Sequence, residues 1–151
     1  MERLLKQTLP DGCFSNVSAV RSRSMAAVKG KNNSTTERLL RMALVRSGIN
    51  GWVTHANLPG KPDIYFPNEK LAVFLDGCFW HGCSRCGHIP KTNTLFWETK
   101  IKRNRQRDQK NVRLLRGQGV FVIRAWEHSL QEARDLVLLL NRITRAMRRP
   151  K

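Results

Sequence analysis

Acidic residues are scarce in this chain: 11 Asp and Glu stand against 28 Lys and Arg, a formal net charge of +17 over 151 residues. That shortage of one sign turns the electrostatic field toward polyanions, nucleic acid first and an anionic membrane surface second. Also missing are an apolar run long enough to span a bilayer and, at the N-terminus, the apolar core of a signal peptide. These absences exclude a spanning protein and lead to the expectation of a soluble, cytoplasmic one. No repeat or linker divides the sequence, so one domain with a real core is expected. Cysteines number only four. In a reducing compartment, clustered thiols serve as metal ligands more readily than as disulfides.

Three of the four lie in the segment Asp76-Gly77-Cys78-Phe79-Trp80-His81-Gly82-Cys83-Ser84-Arg85-Cys86-Gly87-His88. Cys78-x4-Cys83-x2-Cys86 needs one more ligand to close a tetrahedral zinc site. His88 is nearest in sequence, while His128, after Trp126-Glu127, reaches the site if the last strand lies beside the loop. Cys13 sits apart, and His55 is remote from the motif. Phe79 and Trp80 fall between two of the cysteines, so a bound metal would hold both rings on a rigid platform.

The predicted elements form a small mixed sheet flanked by helices. Residues 1–19 read as a loosely held arm, and 20–31 as a short basic helix ended by Gly30. Ser34-Thr35-Thr36-Glu37 matches a capping box, followed by a helix with Leu39, Leu40, Ala43 and Leu44 on its apolar face and Gly48 as its stop. Short strands are expected at Trp52 to His55 and Asp63 to Phe66, and a buried strand at Leu71 to Asp76. Thr92-Asn93-Thr94 would cap a charged helix from Leu95 to about Arg116, broken by Gly117 and Gly119. Val120 to Trp126 reads as the last strand. Ser129-Leu130-Gln131-Glu132 is a second capping box, opening a helix with Leu130, Ala133, Leu136, Val137, Leu140 and Ile143 inward. The domain would occupy 20–144, with a basic tail over 145–151.

Pro62-Asp63 opens one strand and Asp76 ends the next, which can bring two carboxylates to one side of a sheet. Hard divalent cations such as magnesium take oxygen ligands of this kind, and a metal so held can activate water at a phosphodiester. Proline-Asp, a hairpin and a second acid outline the PD-(D/E)xK nuclease fold, although Cys78 stands where the usual lysine would be. The same residues have structural readings: Asp63 as a turn cap, Asp76 as a strand terminus, Glu37 as part of its capping box. His81 is open between zinc ligand, general base and polar loop residue.

Arg21-Ser22-Arg23-Ser24-Met25, Leu58-Pro59-Gly60-Lys61-Pro62-Asp63, Asp76 to Cys83, Pro90-Lys91-Thr92-Asn93, Phe96-Trp97, Lys100-Ile101, Asn104, Arg107-Asp108 and Trp126-Glu127-His128 occur in an order and spacing that resembles the very-short-patch-repair (Vsr) DNA mismatch endonucleases. The resemblance runs from about Val20 to Leu130. It implies a core related to type II restriction enzymes, a structural zinc, catalytic magnesium, and nicking on the 5′ side of the thymine in a T·G mismatch. By resemblance Asp63 is the magnesium-binding aspartate and His81 the active-site histidine. Leu75 falls where the family supplies a ligand from a threonine, so only its backbone carbonyl could serve. Glu37 matches a helix glutamate near the active site. Phe79, Trp80 and Trp97 match aromatics that wedge into the base stack, with Phe96 left to the core, and Met25 matches an apolar residue inserted from the opposite groove. Unstacking costs least at a mismatch, so wedging itself selects damaged sites.

Two departures stand out. Asp76 replaces a histidine of the best-known members, opening a choice between acid–base work and magnesium ligation. Cys83 stands where they use a zinc histidine and His128 where they use a zinc cysteine, an exchange that conserves three thiolates and one imidazole and favours His128 over His88. The expectation is therefore a magnesium-dependent, zinc-stabilised DNA endonuclease leaving a 5′-phosphate. Lys100, Asn104 and Arg107 on the basic helix would hold duplex DNA. The enzyme is expected to be monomeric, associated with the nucleoid through DNA, and a partner of mismatch-repair proteins. The alternatives are a sequence-specific nickase or restriction-type enzyme of phage defence, and a zinc-containing DNA-binding protein without catalysis.

Overall fold

Alternation along three short strands decides which way each side chain faces. The structure is a computed structural model and describes Gln7, Leu9 and residues 34–149. Strands β1 (Ile64–Phe66), β2 (Leu71–Asp76) and β3 (Phe121–Trp126) form one sheet in the order β1-β2-β3. β1 and β2 are an antiparallel hairpin with Phe66 opposite Leu71; β2 and β3 are parallel, from Leu71 opposite Phe121 to Asp76 opposite Trp126. A parallel pair needs a crossover, and residues 77–120 provide it with the cysteine loop and a long helix.

Ile64, Phe66, Leu71, Val73, Ile123 and Ala125 face one way, into a core completed by α1 (Ser34–Arg46) and α3 (Ala133–Met147). Ala72 and Val122, with Tyr65 and Phe74 beside them, face the other way onto Leu115 and Val112 of α2 (Thr94–Gly117). Strand period two therefore puts Asp63, Asp76 and Arg124 on the α2 side of the sheet. Phe66, Leu40, Leu44, Leu71 and Ile143 are fully buried, each contributing about 1.5–3 kcal/mol of apolar transfer.

Several local expectations need correction. The strand expected at Trp52 to His55 is only a bridge, in which Val53 and Tyr65 exchange backbone hydrogen bonds of 2.7 and 2.9 Å. His55 then takes φ 56° and ends the extended run. The second capping box does not form. Ser129 lies inside a 3-10 turn, Glu127–Leu130, and α3 starts at Ala133 with no side-chain bond from Glu132. Burying Leu130 consumes those residues, while Leu136, Leu140 and Ile143 pack against the core as expected. Leu139, Ile143 and Ala146 face the core, whereas Val137 is 54% exposed. Ala133, also expected inward, is exposed. α3 also runs through Met147, so residues 145–147 are helix rather than tail.

Elsewhere the termini differ in detail. Asn93 adopts a left-handed conformation without capping by its side chain, and Thr94 Oγ1 donates to Pro90 O or Lys91 O, each 3.1 Å away. In α1, Leu40, Ala43 and Leu44 are buried but Leu39 is not. Gly48, at φ 67°, lets Ile49 N–H return to Leu44 O at 2.9 Å and stop the helix. The side chains of Ser34 and Thr35, the expected basic helix at 20–31, Met25 and Cys13 lie outside the described residues, as does most of the 1–19 arm. Among the described residues no helix is long and apolar enough to cross a membrane.

Candidate active site and metal centre

The loop after β2 is built from tight backbone turns. Cys83 N–H donates to Cys78 O and Gly87 N–H to Cys83 O, both at 2.9 Å. A Cβ on Gly87 would sit 2.8 Å from Cys83 N, so only glycine lets the turn close. The parallel pairing of Asp76 with Trp126 then brings the residues after β2 and after β3 together. His128 Nδ1 lies 3.1 Å from Cys78 Sγ, 3.7 Å from Cys83 Sγ and 3.2 Å from Cys86 Sγ, with the Cys83 and Cys86 sulfurs 3.7 Å apart. A tetrahedral zinc with ordinary bond lengths would space such atoms by about 3.6–3.8 Å. The donor set fits that ion. His88 is outside this cluster; its ring lies 5.6 Å from Phe79. Burial, then neighbouring Cys86, pushes the Cys78 thiol up to about 12, the direction a bound dication would reverse. Arg85 ties the loop to α3, reaching Glu132 at 2.6 Å and Asp135 at 3.2 Å.

Beside this cluster, on the α2 face of the sheet, lies a second constellation. His81 Nδ1 is 2.6 Å from Asp108 Oδ2. Burial pushes Asp108 up, but the hydrogen bonds from His81 and Arg124 outweigh it and hold the carboxyl at about 2. A permanent carboxylate accepts from an Nδ1–H, which leaves Nε2 as the free lone pair of His81. Arg124 donates through Nε to Asp76 Oδ2 at 2.7 Å and through Nη2 to Asp76 Oδ1, and Nη2 also donates to Asp108 Oδ2 at 3.0 Å. Its 3.4 Å approach to His81 Nδ1 sets donor against donor in that tautomer. Asp76, expected as acid–base group or magnesium ligand, is thus a buried partner of Arg124 with both oxygens engaged.

Asp108 enters the sequence reading only within the Arg107-Asp108 piece of the resemblance, with no role attached, and Arg124 does not enter it at all. They lie 27 residues from His81 and 48 from Asp76, and only the crossover brings them in. One signal was available: Asp108 is the lone acid in the basic stretch from Lys100 to Arg113.

Asp63 and Glu37 line an adjoining cavity of about 670 Å³ that shares the wall of Asp76, His81, Asp108 and Arg124. Asp63 Oδ2 accepts the backbone N–H of Leu75 at 2.7 Å. Burial raises the Asp63 carboxyl to about 6; the Leu75 bond opposes the rise, and the charges of Glu37 and Asp76 add to it. A carboxylate costly to ionise alone, with the Glu37 carboxyl on the same cavity, has the oxygen chemistry of a hard-cation site.

The aromatics pack into one cluster. Phe79 meets Trp80 edge-on at 5.0 Å and Trp97 at 5.2 Å, and Trp97 meets Phe96 at 5.1 Å. Phe79 and Trp80 are half-buried. Trp97, expected to reach DNA, is buried together with Phe96 and Leu9. Lys100 Nζ sits 5.4 Å from the Trp80 ring, and Asn104 Nδ2 donates to Trp80 O at 3.0 Å, so both residues support the aromatic loop. Arg107 is exposed at the cavity mouth, 3.4 Å from Asp108 Oδ1.

The family model described as DNA mismatch endonuclease Vsr matches residues 16–87. The chain is 37% identical over 120 residues to the Type II nicking enzyme V.XorIIP of Xanthomonas oryzae pv. oryzae, covering 79% of this chain and 88% of that protein. It is 40% identical over 123 residues to the Type II nicking enzyme V.NaeI of Lentzea aerocolonigenes, 78% of this chain and 74% of that protein. It is 34% identical over 115 residues to the DNA mismatch endonuclease Vsr of Escherichia coli, 75% of this chain and 72% of that protein.

Proposed function

The chain belongs to the Vsr DNA mismatch endonuclease family and is a DNA endonuclease; from that premise we propose that it nicks one strand on the 5′ side of the thymine in a T·G mismatch, leaves a 5′-phosphate, and so starts very short patch repair. The observation that carries the reading is the His81–Asp108 pair, 2.6 Å apart, opening on the cavity that Asp63 lines. His81 Nε2 takes a proton from water as its oxygen attacks phosphorus and the bond to the 3′ oxygen breaks. Asp108 fixes the tautomer and stabilises the imidazolium that forms. Magnesium, held by Asp63 with the Leu75 carbonyl and Glu37 nearby, would supply Lewis-acid stabilisation of the phosphoryl oxygens. Asp76 acts here through Arg124 rather than as a ligand.

Cys78, Cys83, Cys86 and His128 would supply all four ligands of a zinc ion, which would then hold the loop rather than bind substrate. That loop presents Phe79 and Trp80 to the base stack, and Trp97 joins them when the cluster opens around DNA. Met25 would enter from the opposite groove. The related core of type II restriction enzymes fits the mixed sheet with Asp63 and Asp76 on one face. The protein works as a monomer in the cytoplasm, on the nucleoid, and hands the nick to mismatch-repair proteins.

Magnesium-dependent cleavage of duplexes differing only in one T·G or T·A pair, over varied flanking sequence, tests the reading. Nicking confined to T·G duplexes, and lost in Asp63→Ala, is expected. A second reading is a sequence-specific nickase of intact sites; the chain's similarity to V.XorIIP and V.NaeI, both Type II nicking enzymes, favours it. Equal cutting of the perfect duplex would replace the first reading by the second.

A further inference from the structure

Three metal-ligating side chains outside the zinc cluster, Asp76, His81 and Asp108, bring ligand atoms within 4.8 Å of one another. Two carboxylates and one imidazole are a common set for divalent transition metals. Yet a cation already stands among them. Arg124 Nη2 bonds to an oxygen of Asp76 and to Asp108 Oδ2, and lies 3.4 Å from His81 Nδ1. Its β3 position, opposite Phe74 on the α2 side of the sheet, aims the guanidinium at that point. Arginine cannot lose its charge at working pH, and its planar fork suits a bidentate carboxylate.

Asp76 is 6% and Asp108 9% exposed. Two buried carboxylates this close are tolerated only with a compensating positive charge. With guanidinium and both carboxylates charged the group carries one net negative charge; without the guanidinium it carries two. The vacated space would then draw in a metal ion, and His81 and Asp108 would become its ligands. An imidazole coordinated to metal has no lone pair left for water.

We propose that Arg124 is a positioning residue for the nicking reaction: a fixed internal cation that takes the place a divalent metal would occupy among Asp76, His81 and Asp108, and so keeps the His81–Asp108 pair working as a base. This rests on the nuclease reading for its kinetic consequence, but not for its metal consequence.

The test compares zinc-loaded wild type, R124Q, R124K and the double variant D76N/R124Q. Each is dialysed against micromolar cobalt without magnesium, and metal content and visible absorption are measured. R124Q should hold one more cobalt per chain than wild type, with the weak bands of oxygen and nitrogen ligation rather than the strong thiolate bands of exchange at the cysteines. R124K, which keeps a cation, and D76N/R124Q, which lacks a ligand but restores the net charge, should hold no extra ion. If R124Q does not fold, R124M keeps the apolar stem and replaces it. In magnesium, R124Q should lose about 10- to 100-fold in kcat with little change in KM for DNA, and D76N/R124Q should recover part of that loss. No added cobalt in either R124Q or R124M, or the same added cobalt in R124K, would overturn the proposal. Failure of the T·G reading would instead appear as altered substrate preference in wild type, with the metal counts unaffected.

Discussion

At Asp63 folding and chemistry make opposite demands. Burial lifts its carboxyl from 3.8 to about 6, so the group favours the folded state fully below pH 3.8 and loses that contribution as pH rises through about 6. Above that window the bare carboxylate costs the metal-free protein on the order of 2–3 kcal/mol. Asp63→Asn is therefore expected to abolish nicking while raising the metal-free Tm at pH 7.5 by about 4–8 °C. The gain over wild type should shrink by about half at pH 5, which paired thermal melts at the two pH values will show. Asp108 has the opposite sign. Held at about 2 by His81 and Arg124 against burial, it contributes stability above pH 3.8 that is lost as pH falls toward 2. Asp108→Asn removes the fixed acceptor for His81 Nδ1–H and should lower kcat by about 100-fold or more with KM for DNA nearly unchanged. The role of Asp108, present in the sequence only as part of a matching motif, and that of Arg124 were not legible, because helical and strand patterns say nothing of which polar residues a crossover will bring together. Asp63 and His81 stand in motifs of adjacent residues, which is what makes them candidates from sequence.

Among the elements, the cysteine loop was read most fully from sequence. Its spacing suits a metal, and the exchange of Cys83 and His128 points across 45 residues to the imidazole that the structure places 3.7 Å from Cys83 Sγ. The zinc proposal makes these two histidines unequal. His128→Ala should lower zinc affinity by about 10- to 100-fold, whereas His88→Ala should leave one zinc per chain, as metal analysis after mild chelation would report. Gly87→Ala should likewise lose zinc, since the added methyl meets Cys83 backbone. The helix boundaries were less legible. Both capping boxes are genuine patterns, yet Ser129 was taken by a tight turn that buries Leu130, because core packing outweighs a cap worth about 1 kcal/mol. Trp97 shows the same limit. Its place in the sequence matched an intercalating ring, but Leu9, a residue of the arm, packs with it, a contact no local pattern announces.

For the whole molecule, the +17 charge was sufficient to point to nucleic acid, and the family membership makes that partner DNA. If six to ten phosphates are contacted, affinity should fall by about 10³- to 10⁵-fold between 50 and 200 mM salt. Arg107→Ala should reduce the slope of log affinity against log salt by about 1, measured by fluorescence anisotropy on one duplex. The mixed sheet was legible because β2 is apolar up to Asp76 and β3 is apolar except for Arg124; the pairing of their far ends had to be seen. That pairing has a topological result once zinc is in place. Cys78 and His128 are 50 residues apart, so the ion closes the chain into a ring that contains the whole of α2. By analogy with a disulfide of that span, closure removes about 4 kcal/mol of denatured-chain entropy. It also makes the backbone between His88 and Asn93 dispensable as a connector: a protease cut there would leave two fragments, joined by the β2–β3 pairing and the shared core, that the ion keeps together in denaturant until a chelator is added.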